Sequence, residues 1–311
     1  MLDWRIRPFQ APADYASALP IYNLFAGEPY TVDSWSEEDQ QFPTDGFLFR
    51  CVAEGPSGEL GAVGELFRFP THRPGRYMLI VIVATALRGQ GLGARMAQEL
   101  HTLAESRGAQ SLLTVVRDNE PTARTWAERR AFKLDRHMFE STLALEAFDP
   151  APFAGQFDLG GLRLANWAEV GSEELARQFH ALVQRSCQDI PGFDHSEESY
   201  EDWHRWVFEH SEYRPDGIIL ALEGDRLVGV TICRPEGAEG AWYTHYTGVD
   251  SAYRGRGLAL ALKLASIAVA RAAGAPRMRT NNDSQNGPML TVNRRLGYQP
   301  EPGYWKLVKE L

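Results

Sequence analysis

Two glycine-rich segments hold the residue types in this chain best suited to chemistry: Arg88-Gly89-Gln90-Gly91-Leu92-Gly93 and Arg254-Gly255-Arg256-Gly257-Leu258-Ala259. Each follows an apolar run that reads as a strand and precedes a helical pattern. A strand that turns through closely spaced glycines into a helix aims several backbone N–H groups and the positive end of the helix dipole at one point. That is a site for phosphate. A side chain at the glycines would hold the anion off the backbone, and the leading arginine adds a charge-assisted bond. A plain tight turn is the bland alternative, but it does not explain two copies in the same context.

The copies lie 166 positions apart, from Arg88 to Arg254, and Phe132 and Tyr298, which end the two similar regions, keep the same offset. The period is a whole domain, so the chain is read as a duplication. After the first loop, Leu92, Met96, Leu100 and Leu103 are spaced for one helix face, whereas Leu258 to Ala273 is apolar nearly all round and is expected to be deeply buried. Strands are predicted at 46–53, 61–69 and 77–83 and again at 218–223, 226–234 and 242–249. Short strands at 111–116 and 277–280 come after the loops and their helices. Further helices are predicted at 12–25, 172–187 and 199–208. Helices, an antiparallel meander and then a strand-loop-helix-strand unit make an α/β fold, a mixed central sheet flanked by helices, duplicated in tandem. Breaker residues cluster at 149–155, which sets the expected domains at 1–150 and 156–311.

The loops also resemble a dinucleotide fingerprint, but that motif belongs after a domain's first strand. Here it comes late in each half. Both halves instead resemble the GCN5-related N-acetyltransferase (GNAT) superfamily, whose pyrophosphate loop reads Gln/Arg-x-x-Gly-x-Gly/Ala. Its later pattern, Asn followed by a helix ending in Gly-Phe or Gly-Tyr, is similar to Asn286 through Gly297-Tyr298. Asn119 through Ala131-Phe132 is one residue longer and lacks the glycine. The resemblance implies a V-shaped opening between two parallel strands that takes acetyl-CoA as acyl donor, with the backbone of Val83 or Val249 holding the thioester carbonyl. It also implies direct attack by the amine of a small molecule. The family's acid, a tyrosine seven residues beyond the Asn, is replaced by Asn293 and Trp126.

A protonated amine has no lone pair, so a base must act. Counting back from Val249 by twos reaches Thr247, His245 and Tyr243, expected on one strand face; the counterparts are Val81, Leu79 and Tyr77. His245 is therefore the expected base, suited by a reference pKa of about 6.5, unless its neighbours satisfy it. Tyr243 is the second candidate, as relay or substrate contact. These residues make the second half the expected catalytic one and the first a possible degenerate copy. An acidic and aromatic stretch holds Asp189, Phe193, Asp194, Glu197, Glu198, Tyr200, Asp202 and Trp203, with a similar stretch from Glu28 to Asp39; the resemblance implies that this region walls the acceptor side, while the residues alone equally fit a helix start and its solvated face.

A net charge of -9 without any basic run argues against nucleic acid or an anionic membrane surface. Cys51, Cys187 and Cys233 form no CxxC or Cys/His set, so no disulfide framework, zinc site or other metal is expected and a reducing cytoplasm is the natural compartment. No apolar stretch approaches the roughly 18 residues of a membrane span. The rival to an acyltransferase is a non-catalytic acyl-CoA-binding or regulatory protein; a nicotinamide-dependent oxidoreductase rests on the glycines alone.

Overall fold

The computed structural model describes residues 4–27, 29–70, 72–155, 159–191, 199–210, 212–236 and 240–311. It divides into two compact units, Met1–Asp135 with Tyr304–Leu311, and Arg136–Gly303. The segment 149–155 lies inside the second unit. Turn residues mark where a chain bends, and here the strand before that segment already belongs to the second unit's sheet.

The first unit comprises β1 (Arg5–Pro8), α1 (Tyr15–Tyr22), α2 (Val32–Gln40), β2 (Phe47–Glu54), β3 (Leu60–Arg68), β4 (Arg76–Val83), α3 (Leu92–Ser106), β5 (Ser111–Arg117), α4 (Pro121–Glu128) and the C-terminal strand Tyr304–Glu310. Strands β1 to β4 form an antiparallel meander. The C-terminal strand lies antiparallel to β5, from Tyr304 opposite Arg117 to Glu310 opposite Ser111. Because side chains alternate across strands, the sheet buries two layers. Val52, Val63, Ile80 and Ile82 pack on Tyr15, Ile21 and Trp35 of α1 and α2. On the other face Leu66, Leu79, Leu112 and Leu307 pack on Leu92, Met96 and Leu100 of α3, the stripe its periodicity predicted.

The second unit contains β6 (Lys133–Ala144, from Arg136 onward), β7 (Arg163–Asn166), α5 (Trp167–Val170), α6 (Glu173–Cys187), α7 (Tyr200–Phe208), β8 (Ile218–Glu223), β9 (Arg226–Pro235), β10 (Trp242–Val249), α8 (Leu258–Ala272), β11 (Arg277–Asp283), α9 (Gly287–Arg295) and the two-residue β12 (Gln299–Pro300). The C-terminal strand is β13. Ser172 and Ser199 cap α6 and α7 through their hydroxyls, which is why these helices start where they do. The sheet order is β6-β11-β10-β9-β8-β7. Each unit's sheet is thus completed by the strand that follows the other copy's last helix in sequence.

Both units contain one parallel strand pair, and it is short. β4 pairs with β5 only through Arg76–Met78 against Ser111–Leu113, and β10 with β11 only through Trp242–Thr244 against Met278–Thr280. Beyond those residues the strands part and leave a wedge, closed by the glycine loop and its helix. The copies differ at the end of α4 and α9. Gly297 has φ +88° there, whereas Ala131 holds the same left-handed turn at φ +66° with a Cβ.

Truncation after Gly303 removes β13 and the fully buried Leu307 from the first unit. Loss of one buried leucine alone costs about 2–5 kcal/mol, so calorimetry is expected to show the first unit's unfolding transition lost or far below that of the full chain. An unchanged transition would mean that the unit is complete without its last strand.

Candidate active site

In the first unit the wedge is open. A cavity of about 860 Å³ runs between α3 and α4 along the parted ends of β4 and β5, lined by Leu79 to Val83 on β4 and Thr114 to Arg117 on β5. Small side chains keep it open: Ala94 and Ala97 on α3, Ala123 and Ala127 on α4. Gly89 and Gly91, at φ +77° and +86°, form its rim, and a Cβ on either would meet no atom within 4 Å. The space over the loop is free for an anion. The lining holds Arg88, Arg117, Arg129, Arg130 and Lys309 against a single carboxylate, Glu120. In a chain of net charge -9 that is a local excess of positive charge.

The loop residues divide into those that face the cavity and those that hold the loop. Val83, Arg88, Gly89, Gly91 and Gly93 line it. Leu92 is buried in the core, and Gln90 donates to the Ala86 carbonyl at 3.1 Å. In both copies the leading arginine ties the loop to the strand end: Arg88 Nε donates to Val83 O at 3.3 Å and Arg254 Nε to Val249 O at 3.1 Å. Arg88 keeps only a 3.6 Å contact with Glu120, whereas Arg254 is held by Asp189 at 2.6 Å. Arg256 lies over the Tyr253 ring, Gly255 is exposed, and Gly257 and Ala259 are half-exposed at the start of α8. Val249 and Leu258 pack together in the core, and Asn286 caps α9 through its side chain.

The wedge of the second unit is filled. At the positions of Ala94, Ala97 and His101 stand Leu260, Lys263 and Ile267, each 1–3% exposed. The amine of Lys263 donates to Asn293 Oδ1 at 2.8 Å and lies 4.9 Å from the Tyr298 ring centre; Asn293 donates to Asn282, which donates to Ser141. Asn293, at the position of the family's acid, is therefore part of a buried network. Leu260, Ile267, Leu296 and Tyr298 complete a single apolar cluster. The prediction that α8 is deeply buried holds, and its cause is that this helix plugs the wedge.

Strand β10 carries a bulge between Thr244 and Tyr246, leaving His245 as the extra residue. Alternation is interrupted there. His245 and Tyr243 share a face, their rings 4.9 Å apart and His245 6.0 Å from Trp206 of α7. Thr247 pairs with Thr231 through a 2.8 Å hydroxyl contact on the opposite face, so the expected row of Tyr243, His245 and Thr247 is broken by that inserted residue. Burial, followed by the nearby charges of Arg234 and His210, pushes the His245 imidazole down to about 4. Its Nε2 is 3.1 Å from a Glu236 oxygen without hydrogen-bond alignment, and because Glu236 is 47% exposed, water screens that attraction and burial wins. His245 is therefore neutral near pH 7 and a weaker base than the reference histidine.

Of the acidic stretches, Glu28, Gly192, Phe193, Asp194, Glu197 and Glu198 lie outside the described residues; Asp202 and Trp203 belong to α7, with Trp203 in the core. Among the described residues no His/Cys/Asp/Glu group could hold a metal, and no helix is long and apolar enough to cross a membrane. The cavity-lining His101, Arg117, Arg129, Arg130 and Lys309 are not marked by any motif. The available signal was the contrast between an amphipathic α3 with alanines on its second face and an α8 apolar on both.

Burial pushes the Lys263 amine down to about 7. Between that value and the reference of about 10.4 the unfolded chain binds more protons than the folded one, so this group makes stability rise with pH across that window. In Lys263→Met this contribution is expected to vanish, read as a flatter difference between denaturant midpoints at about pH 7 and about pH 10. An unchanged difference would show that the amine is ionised or hydrated in the fold.

The Acetyltransferase (GNAT) family matches residues 15–132 and again 177–298. A mycothiol acetyltransferase of Streptomyces scabiei is 26% identical over 226 residues, 70% of this chain and 67% of that one. Among solved structures, a GCN5-related N-acetyltransferase from Sphaerobacter thermophilus superposes with a TM-score of 0.74 at 20% identity, over 99% of this chain and 95% of that one. A tandem GNAT protein from the clavulanic acid biosynthesis pathway gives 0.68 at 18%, over 99% and 98%. The two parted strand pairs and their glycine loops are accordingly two copies of one family architecture, and the chain belongs to the acetyltransferase (GNAT) family as a tandem protein.

Proposed function

We propose that the chain moves an acyl group, acetyl from acetyl-CoA in the simplest case, to the amine of a small molecule, and that the donor lies in the first unit's wedge. The observation that carries this reading is the cavity of about 860 Å³ running from the open loop at Gly89 and Gly91, its cations outnumbering its one carboxylate. Arg88 and the loop N–H groups would take the pyrophosphate, and the Val83 backbone the thioester carbonyl. Likeness to proteins named mycothiol acetyltransferase supports a small-molecule acceptor.

The nitrogen of the neutral amine bonds to the carbonyl carbon, the carbon–sulfur bond breaks, and the proton lost by nitrogen passes through solvent to the departing sulfur. An amide and free CoA thiol result. Leu79, Val81 and Val83 offer no titratable group on β4, so this unit would contribute chiefly by holding both reactants in place. A second reading keeps turnover in the second half, with His245 as base, Tyr243 beside it and Val249, Arg254 to Ala259 and Asn286 around the donor. The pairing of the two rings on the bulge favours it; the filled wedge opposes it.

Titration calorimetry and thiol-release assays separate the readings. Gly91→Asp is expected to abolish acetyl-CoA binding and turnover by steric block and anion repulsion, whereas Gly257→Asp stays near wild type, and the wild-type chain binds one donor. The reverse pattern would move the donor to the second half. His245→Ala is expected to leave turnover near wild type; a loss of about 100- to 10,000-fold, the usual cost of a positioned base, would establish the second reading. Donor binding without thiol release against any amine would identify a sensor instead.

A further inference from the structure

We propose that the floor of the first unit's wedge is a subsite for a carboxylate ending the donor's acyl chain, so that CoA thioesters of short aliphatic dicarboxylic acids bind more tightly than uncharged chains of the same length. The proposal rests on the reading that this wedge holds an acyl-CoA. β4 and β5 are bonded up to Met78 and Leu113, and the cavity extends from Leu79 to Val83. Four residues of strand span about 13 Å. A thioester carbonyl at Val83 therefore leaves much more depth than an acetyl methyl fills.

The walls of that depth are apolar, formed by Leu79, Val81, Ala97, Trp126, Ala127 and Phe132. The floor is not. Lys309, opposite Leu112 where β4 and β5 are still bonded, donates through Nζ to His101 Nε2 at 2.9 Å; higher on the wall, Arg130 stacks at 3.8 Å on Trp126, whose ring edge faces Gly93. Among the described residues neither Lys309 nor Arg130 has a carboxylate within 4 Å. Glu105, on the exposed last turn of α3, lies 3.4 Å from the other ring nitrogen of His101. Cations beside apolar walls without a counter-charge are unfavourable until a ligand supplies one. The second unit supplies the contrast: the counterparts of Lys309, His101 and Arg130 are Leu143, Ile267 and Leu296, all buried in one apolar cluster. The first copy thus carries three basic groups where the same architecture packs with three aliphatic ones.

A phosphate of CoA is a poorer occupant. The loop that suits the pyrophosphate lies ten residues along α3 from His101, about 15 Å of helix, and the 3′-phosphate is on the ribose, away from the acyl arm.

Titration calorimetry on the full chain with glutaryl-CoA, pentanoyl-CoA and acetyl-CoA tests this. Wild type is expected to favour glutaryl-CoA over pentanoyl-CoA by about tenfold or more, the usual weight of a hydrogen bond to a charged group. Lys309→Met is expected to bring the two to parity, and Lys309→Arg to restore the preference. Equal or weaker binding of glutaryl-CoA by wild type, or an unmoved ratio in Lys309→Met, overturns the proposal. So does a Lys309→Met loss that is equally large for CoA and absent for dephospho-CoA, because the phosphate is then the anion. If no thioester binds the wild-type chain, the assignment of the wedge itself fails, a result distinct from failure of the carboxylate subsite.

Discussion

Two parallel strands that hydrogen-bond for three residues and then diverge are the constraint on which each half of this molecule depends. A split in the middle of a sheet opens a space that a close-packed interior must fill with protein or leave for a ligand. The glycine loop and the helix behind it sit on that split, so their side chains decide which outcome is realised. In the first unit alanines face alanines across it and a cavity remains. In the second, leucine, isoleucine and lysine from the helix meet asparagine, leucine and tyrosine, and the space is gone.

Filling the second wedge with an amine rather than a methyl group has an electrostatic consequence. A buried ammonium is costly unless hydrogen-bonded, and Lys263 is answered by Asn293 and by the face of Tyr298, with no carboxylate among the described partners. Its depressed basicity is the outcome: the interior tolerates the neutral amine better than the ion. The chain Lys263, Asn293, Asn282, Ser141 then satisfies its members in sequence, which polarises and orders them together. The lock on the second wedge is thus polar at its centre and apolar around it.

Charge is distributed in the opposite sense in the first unit. The protein as a whole is acidic, yet one cavity gathers five lysine and arginine side chains around a single carboxylate. Within low-dielectric walls such an excess acts further than it would on an open surface. The net charge argued against polyanionic partners such as nucleic acid, whereas the cavity is locally cationic; the two statements concern different surfaces.

The duplication, the order of elements, the loops and the amphipathic stripe of α3 were all legible in the amino-acid sequence, because each is a local pattern: glycines where φ is positive, a 3.6-residue period, serine caps ahead of α6 and α7. The half-burial of Ala97 and His101 and the full burial of Lys263 were not, because they depend on which residues stand across the wedge, such as Asn293, 30 positions from Lys263, and Lys309, 208 from His101. Counting by twos along β10 failed at His245 for a related reason: a bulge adds a residue to one strand without leaving a reliable mark in its composition. The segment 149–155 looks like a boundary by its prolines, yet the compact units are set by pairing of β5 with β13 and of β11 with β6, contacts distant in sequence. Local patterns determined what each half is built from. Only tertiary packing decided which half kept a cavity, since a cavity is a property of facing surfaces and not of either surface alone.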